Sequence, residues 1–295
     1  MLTEAEFIEQ QRVLGRRIHE HDGVCWETTY PFYCKPVFEF KAIAPGTARP
    51  ARRHSWLGYS HPVPSPEQGN RSLPTMVLER ARLEGFDLQK LPAKRRNIVR
   101  RALKQCEIRP ILDIERHLER IREINVSQAR RHQEGAGAQT PVRRYTEHAD
   151  SWRDQIRREF ALRGREWWGA FVGEVLAAYL RTYQVDGIRV IQHAKTDTEY
   201  FRHYPMDALY FRVLSEAAAT PSCLRIVNGR PMQPSLNHFK EQFLFQAVEM
   251  PYFSAHARLV EFAKRGVAFS AHVRSALCAK RASRRQVDAA GQEPS

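Results

Sequence analysis

The sequence predicts an α/β fold, because strand-like and helix-like segments alternate along the second half of the chain. From residue 107 to 253 they read, in order, strand, two helices, three strands, helix, strand, helix and strand. Gly173-Glu174 and Asp186-Gly187 separate the three consecutive strands, where hairpin turns belong. We find no internal repeat of about 20–50 residues, which argues against a solenoid.

The composition is that of a globular protein with an excess of positive charge. Of 295 residues, 42% are hydrophobic and 27% are charged, which is ordinary for a soluble domain. The 47 basic and 33 acidic residues give a formal net charge of +14. Such a charge attracts nucleic acid, phospholipid headgroups or phosphate-bearing ligands. The excess is concentrated at residues 94–101 and 280–285.

Several function classes find no support in the sequence. No apolar run approaches the roughly 20 residues that cross a bilayer, and the amphipathic N-terminus lacks the features of a secretion signal, so we expect a cytoplasmic protein. The five scattered cysteines include no CxxC pair, which argues against a disulfide framework. His19 and His21 form an HxH pair without a cysteine or carboxylate in register, so we expect surface histidines and no metal site. GxSxG, HExxH, Walker A and GxGxxG motifs are absent.

The first 90 residues are less regular. An opening helix is followed by three strand-like pieces, a loop at 61–74 and a short helix at 75–86. The strand-like pieces are residues 24–30, 36–45 and 54–59. A further helix begins near Pro92, with Ile98, Val99, Ala102 and Leu103 on one side.

Three passages carry a resemblance to a known family. They are KRRNIVRRALKQCEIRPI (94–111), QHAKTDTEYFRHYPMDALYFRVLSEAA (192–218) and SLNHFKEQFLFQAVEMPYF (235–253). They resemble, respectively, the arginine-asparagine helix, the strand, loop and helix around the cleft, and the FK…FGF ending of Fem-type peptidyltransferases. These enzymes belong to the GNAT superfamily of acyltransferases, and the resemblance covers about half of the chain.

The resemblance implies a GNAT-like fold, with a mixed, mostly antiparallel central sheet flanked by helices. It divides the chain into a reduced N-terminal lobe or cap (1–90), a GNAT-like acyltransferase domain (91–253), a C-terminal amphipathic helix (254–282) and a disordered tail (283–295). It implies an N-acyltransferase that moves an acyl or aminoacyl group from acyl-CoA or aminoacyl-tRNA, the co-substrate, to an amine. The expected acceptor is an amino sugar, a lipid or a bacterial cell-envelope precursor, and no tightly bound cofactor is expected. Partners would be tRNA and, through the basic C-terminus, a membrane surface.

Three departures from the family pattern bear on its substrates. The loop KTDTEYFRHYPM lacks the glycines with which a coenzyme-A-binding GNAT holds pyrophosphate at a helix N-terminus. Leu244 stands where FGF has its glycine. Met206 and Asp207 follow Pro205, where the family often has asparagine.

Lys240 of the FK pair is, by resemblance, the candidate catalytic group. A cation aimed at the developing oxyanion of acyl transfer lowers the barrier, and Phe239 would shape the site. The alternative is a solvent-facing lysine whose stem covers Phe243. A base is also needed: His193 is the first candidate and Asp197 a weaker one. The alternatives are that His193 is a hydrogen-bonded structural histidine and that Asp197 caps a helix or turn. If the substrate itself removes the proton, neither His193 nor Asp197 is needed as a base.

Further candidates would bind substrate. Arg96, Arg100 and Lys104 share one helix stripe that could bind phosphates of a donor or of tRNA, and Asn97 accompanies them; the alternative is a solvated helix face. The resemblance adds Asn237, Tyr183 and Asp207 as candidate substrate contacts. Cys106 and Cys223 are expected in the core.

A rival function remains open at this stage. A GNAT-like scaffold without the glycine turn could be a non-catalytic basic module for nucleic acid or an anionic membrane surface. An enzyme needs Lys240 facing a cleft, with His193 or Asp197 nearby. A binding module needs a continuous positive surface that joins 94–104 to 280–285.

Overall fold

The computed structural model describes residues 1–30, 32–133 and 142–256. The helices are α1 Glu4–Val13, α2 Arg80–Leu83, α3 Ala93–Gln105, α4 Leu118–Gln133, α5 Arg143–Thr146, α6 Ala149–Phe160, α7 Pro205–Ala219 and α8 Pro234–Gln242. The strands are β1 Ile18–His21, β2 Val24–Tyr30, β3 Tyr33–Pro36, β4 Gly58–Pro62, β5 Arg71–Glu79, β6 Glu107–Pro110, β7 Arg165–Val172, β8 Val175–Val185, β9 Ile188–Thr196, β10 Arg225–Val227 and β11 Gln246–His256.

These strands form one 11-stranded sheet, in the order β1-β2-β3-β4-β11-β5-β10-β9-β8-β7-β6. The pairs β3–β4 and β9–β10 are parallel, and the other described pairs are antiparallel. The predicted α/β class, with a mixed and mostly antiparallel sheet flanked by helices, is confirmed.

The element order predicted after residue 107 is also confirmed, except that the one-turn helix α5 lies between the two predicted helices. β7, β8 and β9 form two hairpins, and the turns are those the sequence indicated. Asp186 and Gly187 both have positive φ, 44° and 82°, as a two-residue hairpin turn of this hand requires. Asp113 accepts hydrogen bonds from the backbone N–H groups of Glu115 and Arg116, which caps the helical segment that leads into α4.

Two predictions for the first 90 residues were wrong. The strand expected over 36–45 ends at Pro36 as β3, and the helix expected over 75–86 is strand β5 as far as Glu79. β5 lies between β10 and β11, so Met76, Val77 and Leu78 are buried in succession on both faces. A short continuous apolar run of this kind does not distinguish a buried strand from a helix.

Helices cover both faces of the sheet. On one face, α7 and α8 pack over the central strands, with Leu209, Val213 and Phe243 buried against Met76 and Leu78. On the other face, α4 and α6 cover β7 and β8; Ile121, Ile124 and Ile156 contact a cluster that includes Trp167 and Tyr179. On this second face Leu2 and α1 lie against the ends of β8, β9 and β10.

Strands from both sides of the predicted boundary at residue 90 interleave. β11 pairs with β4 on one edge and with β5 on the other, and β5 pairs with β10. The division into a reduced lobe and a second domain stays a prediction. The C-terminal helix is predicted to begin at residue 254, but residues 254–256 belong to β11. The rest of that helix and the predicted tail, residues 257–295, lie outside the described residues. Among the described helices, none combines the length and apolarity needed to cross a membrane.

Gly58 provides a test of the β4–β11 pairing. Its φ is 133°, and a Cβ there would lie 2.2 Å from the backbone oxygen of Ala255 in β11. We expect Gly58→Ala to lower the free energy of unfolding by about 1–3 kcal/mol from backbone strain, with a further loss from the clash, measured by urea denaturation.

Gly173→Ala is the matched control, because Gly173 also has positive φ but nothing lies within 4 Å of its added Cβ. It should cost about 1 kcal/mol. Equal losses at the two glycines would contradict the tight β4–β11 contact.

Candidate functional site

The candidate site lies where β9 and β10 separate. These parallel strands pair only over Ile188–Val190 and Arg225–Val227. β10 ends there, whereas β9 continues to Thr196 with an extra residue, Gln192, inserted against β8. This β-bulge bends β9 away from β10. In α/β proteins, ligands commonly bind where the carboxyl ends of neighbouring strands separate.

A cavity of about 180 Å³ lies beside the end of β10. Its wall includes Val227, Gly229 and Arg230 from the end of β10 and beyond, and Tyr183 and Tyr252 also line it. Burial raises the pKa of both tyrosines to about 12, so both remain neutral hydroxyls at physiological pH. Tyr183, a candidate by resemblance, is thus a lining residue of this cavity.

Lys240 is a buried cation that contacts the backbone of Arg230, one of the residues lining this cavity. Its side chain projects from α8, is 4% exposed, and donates hydrogen bonds to the backbone oxygens of Asn228 (2.6 Å) and Arg230 (3.4 Å). Burial lowers its pKa to about 8. The ammonium has three donors, and the third has no acceptor among the described residues. The alternative of a solvent-facing lysine is therefore wrong.

Aromatic rings hold the Lys240 segment in place. Tyr210 of α7 accepts a hydrogen bond from the Asn228 side chain (2.9 Å), and Phe239 packs edge-on against the Tyr210 ring at 5.0 Å. Tyr210 and Asn228 were not among the predicted site residues. In the sequence, Asn228 is a polar residue next to a strand and Tyr210 is a tyrosine among the apolar residues of a helix. Neither pattern indicates a site.

Asp207 is engaged in an ion pair near the N-terminus of α7. Arg95 of α3 binds its carboxylate, and both side chains are largely buried; the Arg95 guanidinium also lies 5.0 Å from the centre of the Phe239 ring. Burial raises the pKa of Asp207 and Arg95 opposes that shift. A helix N-terminus favours negative charge, and here the chain's own carboxylate already supplies it.

His193 and Lys240 project from opposite faces of the sheet. His193 lies opposite Arg181 in the β8–β9 pairing, on the face covered by α4 and α6, whereas α8 packs with α7 on the other face. Burial, followed by the charges of Arg181 and Lys195, lowers the pKa of His193 well below its usual range. The imidazole is therefore neutral near pH 7. Its assignment as a base stays a prediction.

Asp197 is fully occupied by structural contacts. Its carboxylate accepts hydrogen bonds from Arg120 (2.5 Å) and Ser127 (2.9 Å), and it caps the 3₁₀ segment 198–203 through the backbone N–H of Glu199. The side chain is 4% exposed. This arrangement is the capping role that the sequence offered as the alternative to a base.

The remaining predicted contacts lie away from the cavity lining. Arg96 donates to Gln89, and Arg100 donates to Asn97 at 3.4 Å on the outer side of α3. Asn237 accepts a hydrogen bond from the backbone N–H of Met232 (2.7 Å), which closes the loop before α8. Their substrate roles stay predictions.

Two other expectations concern cysteines and metals. Cys106 and Cys223 are buried, and burial raises the pKa of Cys106 to about 11, so their expected place in the core is confirmed. Within residues 1–30, 32–133 and 142–256, no group of three or more His, Cys, Asp or Glu side chains is placed to hold a metal ion.

Comparison with known proteins identifies the class of fold. No protein-family model and no curated protein matches the chain. Among solved structures, FemX aligns over 87% of this chain and 92% of its own, with a TM-score of 0.57 and 9% identity. The L-PGS from Bacillus licheniformis aligns over 86% of this chain and 91% of its own, with a TM-score of 0.54 and 11% identity.

A conserved protein of unknown function from Bacteroides thetaiotaomicron is 16% identical, with a TM-score of 0.44. That alignment covers 64% of this chain and 60% of the other, so the chain spans less than two thirds of that protein. The expected GNAT-like, Fem-type acyltransferase fold is confirmed by the two longer alignments. At these identities the likeness concerns the fold alone.

The buried state of Lys240 predicts a pH dependence of stability. The pKa of lysine is near 10.5 in the unfolded chain and about 8 in the folded one. Between these values the unfolded state binds the extra proton, so stability rises with pH in this window. The cost of burying the cation is fully present below pH 8.

We therefore expect the unfolding free energy of the wild type, relative to Lys240→Met, to increase from pH 8 to pH 10. Urea denaturation at intervals of one pH unit measures it. Lys104→Met, which removes an exposed lysine, serves as the control with a flat difference. A flat difference for Lys240→Met as well would mean that Lys240 is not buried as a cation.

Proposed function

We propose that the protein is an N-acyltransferase that moves an acyl or aminoacyl group from a carrier to an amine. The observation that carries the proposal is the buried Lys240 ammonium, which bonds to the backbone oxygens of Asn228 and of the cavity-lining Arg230 and keeps one donor without an acceptor among the described residues. The GNAT-like fold and its likeness to FemX support the same reaction class. The amine nitrogen attacks the carbonyl carbon of the donor, a C–N bond forms, and the bond to the carrier sulfur or oxygen breaks.

Lys240 acts as the oxyanion stabiliser in this proposal. Negative charge develops on the donor carbonyl oxygen in the transition state, and a preorganised cation in a site shielded from water stabilises it strongly. The bonds to Asn228 and Arg230 fix the ammonium in advance, so little reorganisation is needed. Phe239 and Tyr210 restrict the position of the α8 segment.

The acyl group of the donor occupies the cavity at the end of β10 in this proposal. Its apolar lining, including Val37, Phe38 and Leu73, suits a short acyl chain or an amino-acid side chain, and Glu39 and Arg230 are charged groups at the same cavity. The amine proton leaves to water or to the departing carrier group, because Asp197 is already bonded and the pKa of His193 is depressed.

The donor is acyl-CoA or aminoacyl-tRNA. The α7 N-terminus, where a GNAT would hold pyrophosphate, carries Asp207 paired with Arg95 and lacks glycine in the preceding loop. These features weigh against the usual coenzyme A contact and favour aminoacyl-tRNA. The acceptor is an amine on an amino sugar, a lipid or a cell-envelope precursor.

The proposal is tested with separate pools of acyl-CoA and aminoacyl-tRNA and mixed amine acceptors, with acylated products detected by mass spectrometry. We expect product with one donor pool. Lys240→Met should reduce the rate about 10²–10³-fold, the usual loss for an oxyanion donor.

Lys90→Met, which removes an exposed lysine outside the Arg96, Arg100 and Lys104 stripe, is the charge-matched control and should retain wild-type rates. Circular dichroism establishes that Lys240→Met is folded. Full activity in that variant would remove Lys240 from the mechanism. Absence of product with every donor, together with RNA retention that falls with salt, would replace the enzyme by a nucleic-acid-binding module.

A further inference from the structure

A second group of cations lies on the sheet face opposite Lys240. Side chains that are neighbours across β7, β8 and β9 project toward α5 and α6, because paired residues share a face. The rows across the strands are Arg165–Tyr183, Trp167–Arg181–His193 and Tyr179–Lys195. Arg144 of α5 is linked to this group through Gln155, which accepts a hydrogen bond from Arg144 and donates one to Glu159, the partner of Arg181. We call the cations Arg144, Arg165, Arg181 and Lys195, together with the neutral His193 among them, the cationic face.

The cationic face has too few acceptors among residues 1–30, 32–133 and 142–256. Glu159 of α6 pairs with Arg181 and is its only carboxylate among the described ion pairs. Within the described part of the chain, Arg144 bonds to the neutral side chain of Gln155 and Arg165 to that of Gln192, and neither forms an ion pair there. Lys195 has no hydrogen bond or ion pair among the described residues.

Buried donors confirm this shortage. The Nε atoms of Arg165 and Arg181 and the indole N–H of Trp167 are buried and without an acceptor in the described part of the chain. Arg181 is 4% exposed and Trp167 is 3% exposed. A buried donor that lacks an acceptor costs about 1–3 kcal/mol. Native proteins rarely keep several such donors together unless water, an ion or a ligand supplies the acceptors.

The local electrostatics agree with this geometry. Burial, followed by the neighbouring cations, lowers the pKa of Lys195 and of Arg165, which means that the charged forms are held at a cost. An oxyanion in contact with these groups would remove the mutual repulsion. Several donors spread over three strands and a helix suit a multiply charged, tetrahedral anion better than a single carboxylate, which one arginine fork can satisfy.

The cationic face adjoins the cavity. Tyr183 lines the cavity, and the guanidinium of Arg165 lies 5.2 Å from the centre of the Tyr183 ring. A molecule with its amine in the cavity can therefore extend past Tyr183 onto the cationic face.

We propose that the cationic face binds a phosphate or diphosphate group, and that this group belongs to the acceptor substrate. Arg144, Arg165 and Lys195 supply the contacts, and Arg181, fixed by Glu159, supplies the inner wall. Assignment of the group to the acceptor rests on the proposed transferase function; binding of the anion itself does not.

Calorimetric titration with pyrophosphate, inorganic phosphate and succinate at constant ionic strength tests the binding. We expect pyrophosphate to bind, and Lys195→Gln and Arg144→Gln each to weaken that binding about tenfold or more, the loss typical of a charge-assisted hydrogen bond. Lys195→Arg keeps the charge and should retain binding. Arg82→Gln removes an exposed charge on α2 and should leave it unchanged.

No binding of pyrophosphate or phosphate, equal affinity for succinate, or equal weakening in Arg82→Gln would overturn the proposal. Binding without transferase product would leave the phosphate site intact and remove the transferase function. Transferase product without anion binding would remove the phosphate site and leave the transferase function intact.

A second experiment distinguishes the sources of the phosphate. Phosphoethanolamine represents a soluble amine-bearing phosphate, and vesicles of phosphatidylcholine with phosphatidylglycerol represent a lipid headgroup. We expect the wild type to bind at least one of the two probes, and we expect Lys195→Gln to lose that binding. Retention of both probes by Lys195→Gln would place their binding elsewhere and contradict the proposal.

Discussion

The short parallel pairing of β9 with β10 is the constraint on which the rest of the structure depends. Three residues of each strand join β6–β9 to the strands on the other side of the sheet. Because this β9–β10 pairing is short, β9 can bend at Gln192 and β10 can end at Val227. The cavity, the carbonyl groups that bind Lys240 and the face that carries His193 all follow from this separation.

Buried charges with few partners lie on both faces of the sheet near the β9–β10 pairing. Among the described residues, Lys240 bonds to backbone carbonyls alone, and the cationic face has one carboxylate, Glu159, for four cations. Arg95 and Asp207, by contrast, neutralise each other between α3 and α7. A buried ion pair of that kind fixes two helices, whereas an unpaired buried cation destabilises the fold unless it serves a ligand. The distribution of unpaired charge therefore separates candidate binding groups from structural ones.

The sequence predicted the elements better than the site. Hairpin turns at Gly173 and Asp186 are local signals, so their elements were predicted correctly. β5 was missed, because burial on both faces removes the alternation that identifies a strand. Lys240 was found through the family resemblance. The alignment of Arg165, Arg181 and Lys195 was not found, because it depends on strand register and on one inserted residue, which no local pattern encodes.

The position of β11 has a consequence for how the chain folds. β11 is the last described strand, yet it separates β4 from β5, which are among the first. The strands β1–β4 therefore cannot join the sheet until almost all of the described chain has been synthesised. Pairings so distant in sequence are slow to form, and unpaired strand edges are prone to aggregate in the meantime. Before β11 is available, strands β1–β4 must either form a separate sheet or have their exposed edges covered.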